Sequence, residues 1–217
     1  MERILEEQLM ADPIQVMAYA QADFSIPHQA VIDRFTDLFP HFKDGVVLDM
    51  GCGTADIAIR FARRYPQAKI IGVDGSLAML SVAQKRIDEN HLCSSIKLIQ
   101  GILPNWSYPH LFDVLISNSL LHHLPSPKEL WISIRKHAKL GSYVLVVDLI
   151  RPESKQQAHF LTETYTQGAH PLLKRDFYNS LLASFTLEEI KREIVAEKLP
   201  FRVEQISDRH LMIYGIF

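Results

Sequence analysis

The run Gly45-Val-Val-Leu-Asp-Met-Gly-Cys-Gly-Thr-Ala-Asp56 decides how this chain folds. Val46, Val47 and Leu48 form a short apolar run, the mark of a strand buried on both faces. Gly51 and Gly53 then let the backbone turn sharply and approach a ligand closely. From Ile57 the period changes: Ile57, Ala58, Phe61 and Ala62 fall at helical spacing, and Pro66 marks the stop. A strand, a glycine turn and a helix in this order open a nucleotide-binding α/β sheet.

The acids around that turn select among nucleotides. A dinucleotide site uses G-x-G-x-x-G, which seats a pyrophosphate on the helix N-terminus. Here the third glycine position holds Asp56, and Asp49 stands two residues before the first glycine. Two carboxylates near the turn repel a pyrophosphate and suit a cation such as S-adenosylmethionine, which has a sulfonium and an ammonium group and no phosphate. The segment resembles the first motif of the class I S-adenosylmethionine-dependent methyltransferases, an acid, a spacer and Gly-x-Gly, often followed by Thr-Gly. Thr54-Ala55 is a small departure. The bland alternative is a glycine-rich turn in another α/β protein.

Beyond this motif the chain alternates strands and helices. Lys69–Asp74 reads as a second buried strand ending in an acid 21 residues after Gly53, the distance at which a carboxylate bonds ribose hydroxyls. Asp74 with Gly75 is therefore a candidate cofactor contact, although an acid here also suits the start of the helix that Ser76 can cap. That helix, Leu77 to Asn90, buries Leu80, Ala83 and Ile87. Ser95–Gln100 is the third strand. Many relatives of the resembled family carry an acid after it that contacts adenine; this chain has Gly101, Ile102 and Leu103, which implies apolar sandwiching. Phe112–Asn118 is the fourth strand, and Ser119-Leu-Leu-His-His-Leu124 follows it at the edge where ligands bind. This loop resembles the family's fourth motif in small-molecule methyltransferases. Asn118 and Leu120 then flank the cofactor, and His122 and His123 are candidate general bases, set against ordinary polar packing. A metal site from His110, His122, His123 and His170 lacks supporting local spacing, so no metal is expected.

Ser126 and Pro127 start a helix expected to run through Leu140 with Gly141 as its stop, followed by a strand from Ser142 to Leu149. Asp148 at its end is either a substrate contact or a cap. Residues 151–185, rich in histidine and aromatics, break the rhythm and are expected to form a helical substrate cap. Thr186-Leu-Glu-Glu189 is a capping box opening a helix with Ile190, Ile194 and Val195. Phe201–Ser207 and His210–Phe217 close the sheet as antiparallel neighbours. Residues 1–42 read as a helical cover, in which Asp12-Pro13 and Ser25-Ile-Pro27 open helices and Tyr19 and Asp23 are candidates to close over the cofactor.

The expected fold is an α/β, Rossmann-like, doubly wound sheet of seven strands, mostly parallel with an antiparallel last strand and helices on both faces, over residues 43–217. The resemblance implies an S-adenosylmethionine-dependent methyltransferase yielding S-adenosylhomocysteine. Its alternatives are a non-catalytic cofactor-binding relative and an NAD-dependent oxidoreductase. With 217 residues, 47% apolar and 22% charged, the composition is that of an ordinary globular domain. A net charge of −2 and no basic stripe disfavour nucleic acid and leave a small-molecule methyl acceptor as the expected partner. Two cysteines, no signal-like leader and no spanning run imply a cytoplasmic protein with no membrane association.

Overall fold

Why the strands are central is visible in their burial. The computed structural model describes every residue except 7–9 and 11. Seven strands form one sheet: β1 (Val46–Met50), β2 (Lys69–Asp74), β3 (Ile96–Gln100), β4 (Phe112–Asn118), β5 (Ala138–Leu149), β6 (Phe201–Gln205) and β7 (His210–Ile216), in the order β3-β2-β1-β4-β5-β7-β6. The first five run parallel; β7 is antiparallel to both β5 and β6. Side chains of β1 alternate between two cores. Val47 joins one face with α2 (Ser25–Leu38), α3 (Asp56–Arg64) and α4 (Leu77–Glu89). Leu48 and Met50 join the other with α5 (Pro127–His137) and α8 (Leu187–Ala196). On the first face Phe35 is fully buried, with the rings of Phe39, Phe42, Phe61 and Tyr65 at 5.0–5.8 Å.

The remaining helices lie over the carboxyl edge of the sheet. α1 (Pro13–Gln21) starts on an Asp12 cap with Pro13 at its first position. α6 (Lys155–Tyr165) and α7 (Pro171–Ala183) occupy the 151–185 segment, and their residues Leu161, Leu181 and Leu182 make a third, small core with Leu149. Gln15 on α1 donates to Asp176 on α7 at 2.7 Å, bridging the two helices. At α8 the capping box forms as expected, with both bonds between Thr186 and Glu189 present. Ile190 and Ile194 are buried there, but Val195 is 76% exposed.

One boundary differs from the expectation. α5 stops at His137 and β5 begins at Ala138, so Gly141 lies inside a strand rather than closing a helix. Ala138 pairs with Phe112, the register then shifts, and Gly141 takes φ +90°. The Ser142 hydroxyl accepts from Lys139 N–H and donates to the Phe112 carbonyl, stitching the irregularity. Leu140, which supplied helical spacing in the sequence, is 95% exposed.

Candidate functional site

The sheet order places a crevice where β1 and β4 lie side by side, since the chain leaves β1 towards β2 and returns at β4 on the other side. Ligands in open α/β sheets bind outside the carboxyl ends of the strands at such a point. Gly51 turns there with φ +71°, held by its N–H to the Val73 carbonyl at 2.8 Å. A Cβ on Gly51 would lie 2.8 Å from Leu120 Cδ1, so this glycine allows the β1 and β4 loops to touch. Gly53, at φ +50°, has nothing within 4 Å of the position of a Cβ. Its open side faces a cavity of about 980 Å³. Tyr19, Asp49, Gly51, Gly53, Asp74, Gly75, Gly101, Ile102, Asn118, Leu120, His122 and His123 all line this one cavity.

Three acids around the glycine turn bear on it differently. Asp49 is 2% exposed, and its Oδ2 is buried without a hydrogen-bond partner among the described residues. Burial, with the nearby charge of Asp74, pushes its carboxyl up to about 7. Asp74 accepts from Gly53 N–H at 2.9 Å through Oδ2 and from Ser76 N–H at 2.8 Å through Oδ1. It thus anchors the glycine turn to the end of β2 while Ser76 caps α4. Burial raises its carboxyl as well. Asp56 departs from the expectation of a free charge beside the turn. Its carboxylate is hydrogen-bonded to His28 at 2.7 Å and paired with Arg60 and Arg86, each at 2.8 Å. Burial opposes its charge, but the bonds from His28 and Arg60 hold the carboxyl well below its ordinary range. Asp56 therefore ties α2 and α4 to the start of α3, and the acid left without a countercharge at the turn is Asp49.

Around this floor, Tyr19 is half-buried against Phe24 at 4.9 Å, and burial raises its hydroxyl to about 12. Asp23 accepts from Ser25 N–H and lines the cavity. Ile102 is 51% exposed. A Cβ on Gly101 would clash with Trp106, so this glycine makes room for the indole ring. After β4, the 3-10 turn Leu121–His123 brings the two histidines to the cavity, their ring centroids 4.1 Å apart. The Nδ1 of His122 bonds Asp148 Oδ1 at 2.6 Å, and Asp148 also accepts from the N–H groups of Leu121 and Leu149. Asp148 is thus the partner of a site histidine. Burial opposes the charge on His122, but Asp148 raises its basicity, whereas burial and its charged neighbour lower His123 to about 3.

Sequence reasoning missed Glu6, which lines the cavity beside the histidine pair, and the Arg34, Arg209 and His210 side chains at its rim. Tyr165, His170, Leu173 and Phe177 complete the wall from the 151–185 segment. No local signal marks Glu6; it arrives because Arg3 donates to the carbonyls of Ala183, Pro125, His122 and Leu124 at 2.5–2.9 Å.

Residues 47–141 match a family model described as a methyltransferase domain. That segment of the chain carries the sequence pattern of a methyltransferase domain. In sequence, the chain is 30% identical over 160 residues to a trans-aconitate 2-methyltransferase of Deinococcus radiodurans, a match covering 67% of this chain and 59% of that relative. It is also 30% identical over 102 residues to a malonyl-[acyl-carrier protein] O-methyltransferase of Priestia megaterium, covering 47% and 35%. The chain thus spans less than two thirds of the curated relatives it matches. In fold it is similar to the plantazolicin methyltransferase BpumL, solved with a pentazolic desmethylPZN analogue and S-adenosylhomocysteine, at TM-score 0.70, 16% identity and coverage of 94% and 90%. Among the described residues no helix is long and apolar enough to cross a membrane.

Proposed function

We propose that this chain transfers a methyl group from S-adenosylmethionine to a small or medium-sized molecule, and that the single strongest support is the buried Asp49 carboxyl, with its partnerless oxygen, at a glycine turn opening on the cavity. An uncompensated buried carboxyl is costly unless a cation comes to it. The cofactor's ammonium group is of that kind, and a pyrophosphate is not. When bound, S-adenosylmethionine supplies an electrophilic methyl group open to in-line attack by an oxygen, nitrogen, sulfur or carbon nucleophile.

Each role here rests on placement. Asp49, Gly51 and Gly53 shape the floor under the methionine part, and the missing Cβ of Gly53 leaves room for it. Asp74 has lone pairs free beyond its two backbone bonds and holds the ribose hydroxyls, with Gly75 beside it. Ile102 and Gly101 border adenine, while Asn118 and Leu120 flank the methionine part. Tyr19 closes over the cofactor from α1 within the N-terminal cover. The 151–185 segment, with Tyr165 and Phe177, walls the acceptor, and His122 and His123 border its nucleophile. Displacement cancels the charge on sulfur, so an apolar, water-poor site favours it and positioning supplies most of the rate. The unpaired Cys52 and Cys93 agree with a reducing cytoplasm as the compartment.

Thermal shift with S-adenosylhomocysteine and with NAD tests the cofactor. Stabilisation by the former alone is expected, and stabilisation by NAD alone would overturn the proposal. Transfer of label from methyl-labelled cofactor to a metabolite extract then tests turnover; binding without any labelled acceptor would leave a cofactor-binding protein that is not an enzyme.

A further inference from the structure

Three side chains on the cavity wall, one from the N-terminal segment and two from the turn after β4, meet in a way the fold does not require. Glu6, His122 and His123 each place one ligand-type atom within 4.8 Å of the others. The Nδ1 of His123 is buried and has no hydrogen-bond partner among the described residues. It lies 3.7 Å from Glu6 Oε2, too far for a hydrogen bond. That spacing is close to the edge of a tetrahedron around an ion held at about 2.0–2.1 Å from nitrogen and oxygen. The Nδ1 of His122 is taken by Asp148, itself fixed by two backbone N–H groups, which orients the ring and leaves Nε2 as its ligand atom. This carboxylate–histidine pairing is the usual support behind a metal ligand. Glu6 has the corresponding support, since the Ser180 hydroxyl donates to its Oε2 at 2.9 Å.

We propose that Glu6, His122 and His123 bind a divalent cation of the zinc class, with an open position facing the cavity. Two imidazoles and one carboxylate form a ligand set for zinc, cobalt or iron; magnesium and calcium prefer all-oxygen sites. The charge is balanced locally by Glu6 and the buried Asp148. The nearby Arg3 turns its donors onto backbone carbonyls, including those of His122 and Leu124, and stacks on Phe185 at 3.7 Å. It holds Glu6 against the histidine pair and does not fill the space between them. The inference rests on the methyltransferase reading for its use: an acceptor oxygen completing the coordination releases its proton to water more readily, and its lone pair is then the methyl nucleophile. The histidines on this view hold the ion and do not take the acceptor's proton.

Untagged full-length protein, stripped with chelator, is titrated with CoCl2 and followed by visible absorption. One Co²⁺ per chain with the band of a nitrogen- and oxygen-ligated ion, displaced by ZnCl2, is expected. Glu6→Gln and His123→Gln each weaken Co²⁺ by at least about a hundredfold and Asp148→Asn by about ten- to a hundredfold. His110→Gln, exposed and outside the cavity, leaves it unchanged. Absence of a saturable one-to-one band overturns the proposal, as do Glu6→Gln and His123→Gln variants that melt like the parent and bind Co²⁺ as tightly. Thermal shift with S-adenosylhomocysteine on the same stripped samples separates the two readings: if it stabilises while Co²⁺ does not bind, the metal site alone fails, and if Co²⁺ binds while it has no effect, the cofactor reading alone fails.

Discussion

Asp49→Asn is the substitution in which stability and binding should move in opposite directions. The Asp49 carboxyl titrates near 7 in the folded protein against an ordinary 3.8, chiefly through burial. A carboxyl whose folded value is raised binds its proton more tightly in the native state. Its contribution is complete below pH 3.8 and is lost as the pH rises through 7. Between pH 5 and pH 8 the parent protein therefore loses about 3 kcal/mol that the Asp49→Asn variant keeps. For a chain of 217 residues that is a relative shift of roughly 6–12 °C in Tm. The absolute Tm is a poorer readout, because the new amide can be left with an unmade hydrogen bond costing about 1–3 kcal/mol. The change with pH cancels that constant. The assay is thermal denaturation of both proteins at pH 5 and pH 8, without ligand and with S-adenosylhomocysteine. The variant should show the flatter profile and bind the ligand about ten- to a hundredfold more weakly, since it has lost a charged partner for the ammonium group. Parallel profiles for the two proteins would refute an unpaired buried acid at this turn.

Other outcomes follow from the same floor. Asp74→Ala should weaken S-adenosylhomocysteine by about ten- to a hundredfold in calorimetric titration, the loss expected for charge-assisted bonds to hydroxyls; an unchanged Kd would mean that the ribose lies elsewhere. Gly51→Ala and Gly53→Ala should separate by site: Gly51 at φ +71° has Leu120 at 2.8 Å from the new Cβ and should lose about 2 kcal/mol or more in urea denaturation, whereas Gly53 has open space and should lose about 1 kcal/mol while ligand affinity falls sharply. Asp56→Asn should cost about 1–3 kcal/mol and leave cofactor affinity within about threefold, because its partners are His28, Arg60 and Arg86. A large affinity loss with unchanged Tm would restore Asp56 to the cofactor site.

How much of this was legible depended on the range of the interaction that fixes each feature. The strands of the parallel core and the glycine turn are encoded locally, by apolar runs and by residues that alone tolerate positive φ, so β1, β2 and the turn at Gly51 stand where their residues place them. The α5–β5 junction is decided across the sheet. Lys139 and Leu140 sit in a helical pattern, yet Ala138 pairs with Phe112 and Gly141 N–H donates to the Phe217 carbonyl, 76 residues on. A window of a dozen residues contains no trace of that partner.

The acids show the same division at the level of charge. Asp49 and Asp56 look alike in the sequence, two carboxylates bracketing two glycines. Only Arg60, one helical turn beyond Asp56, could have signalled that the second was already satisfied; His28 and Arg86 come from helices on either side of the chain. Burial separates the two by leaving Asp49 2% exposed, its Oδ2 without a partner among the described residues, and giving Asp56 three partners. Of the two acids that bracket the glycines, the one with an oxygen still free for a ligand is thereby Asp49, beside the open side of Gly53. A cationic ligand gains from that oxygen. Its charged group meets Asp49 at the end of β1, with its remaining length lying along the tip of β2, where Asp74 ends the strand and holds the turn in place.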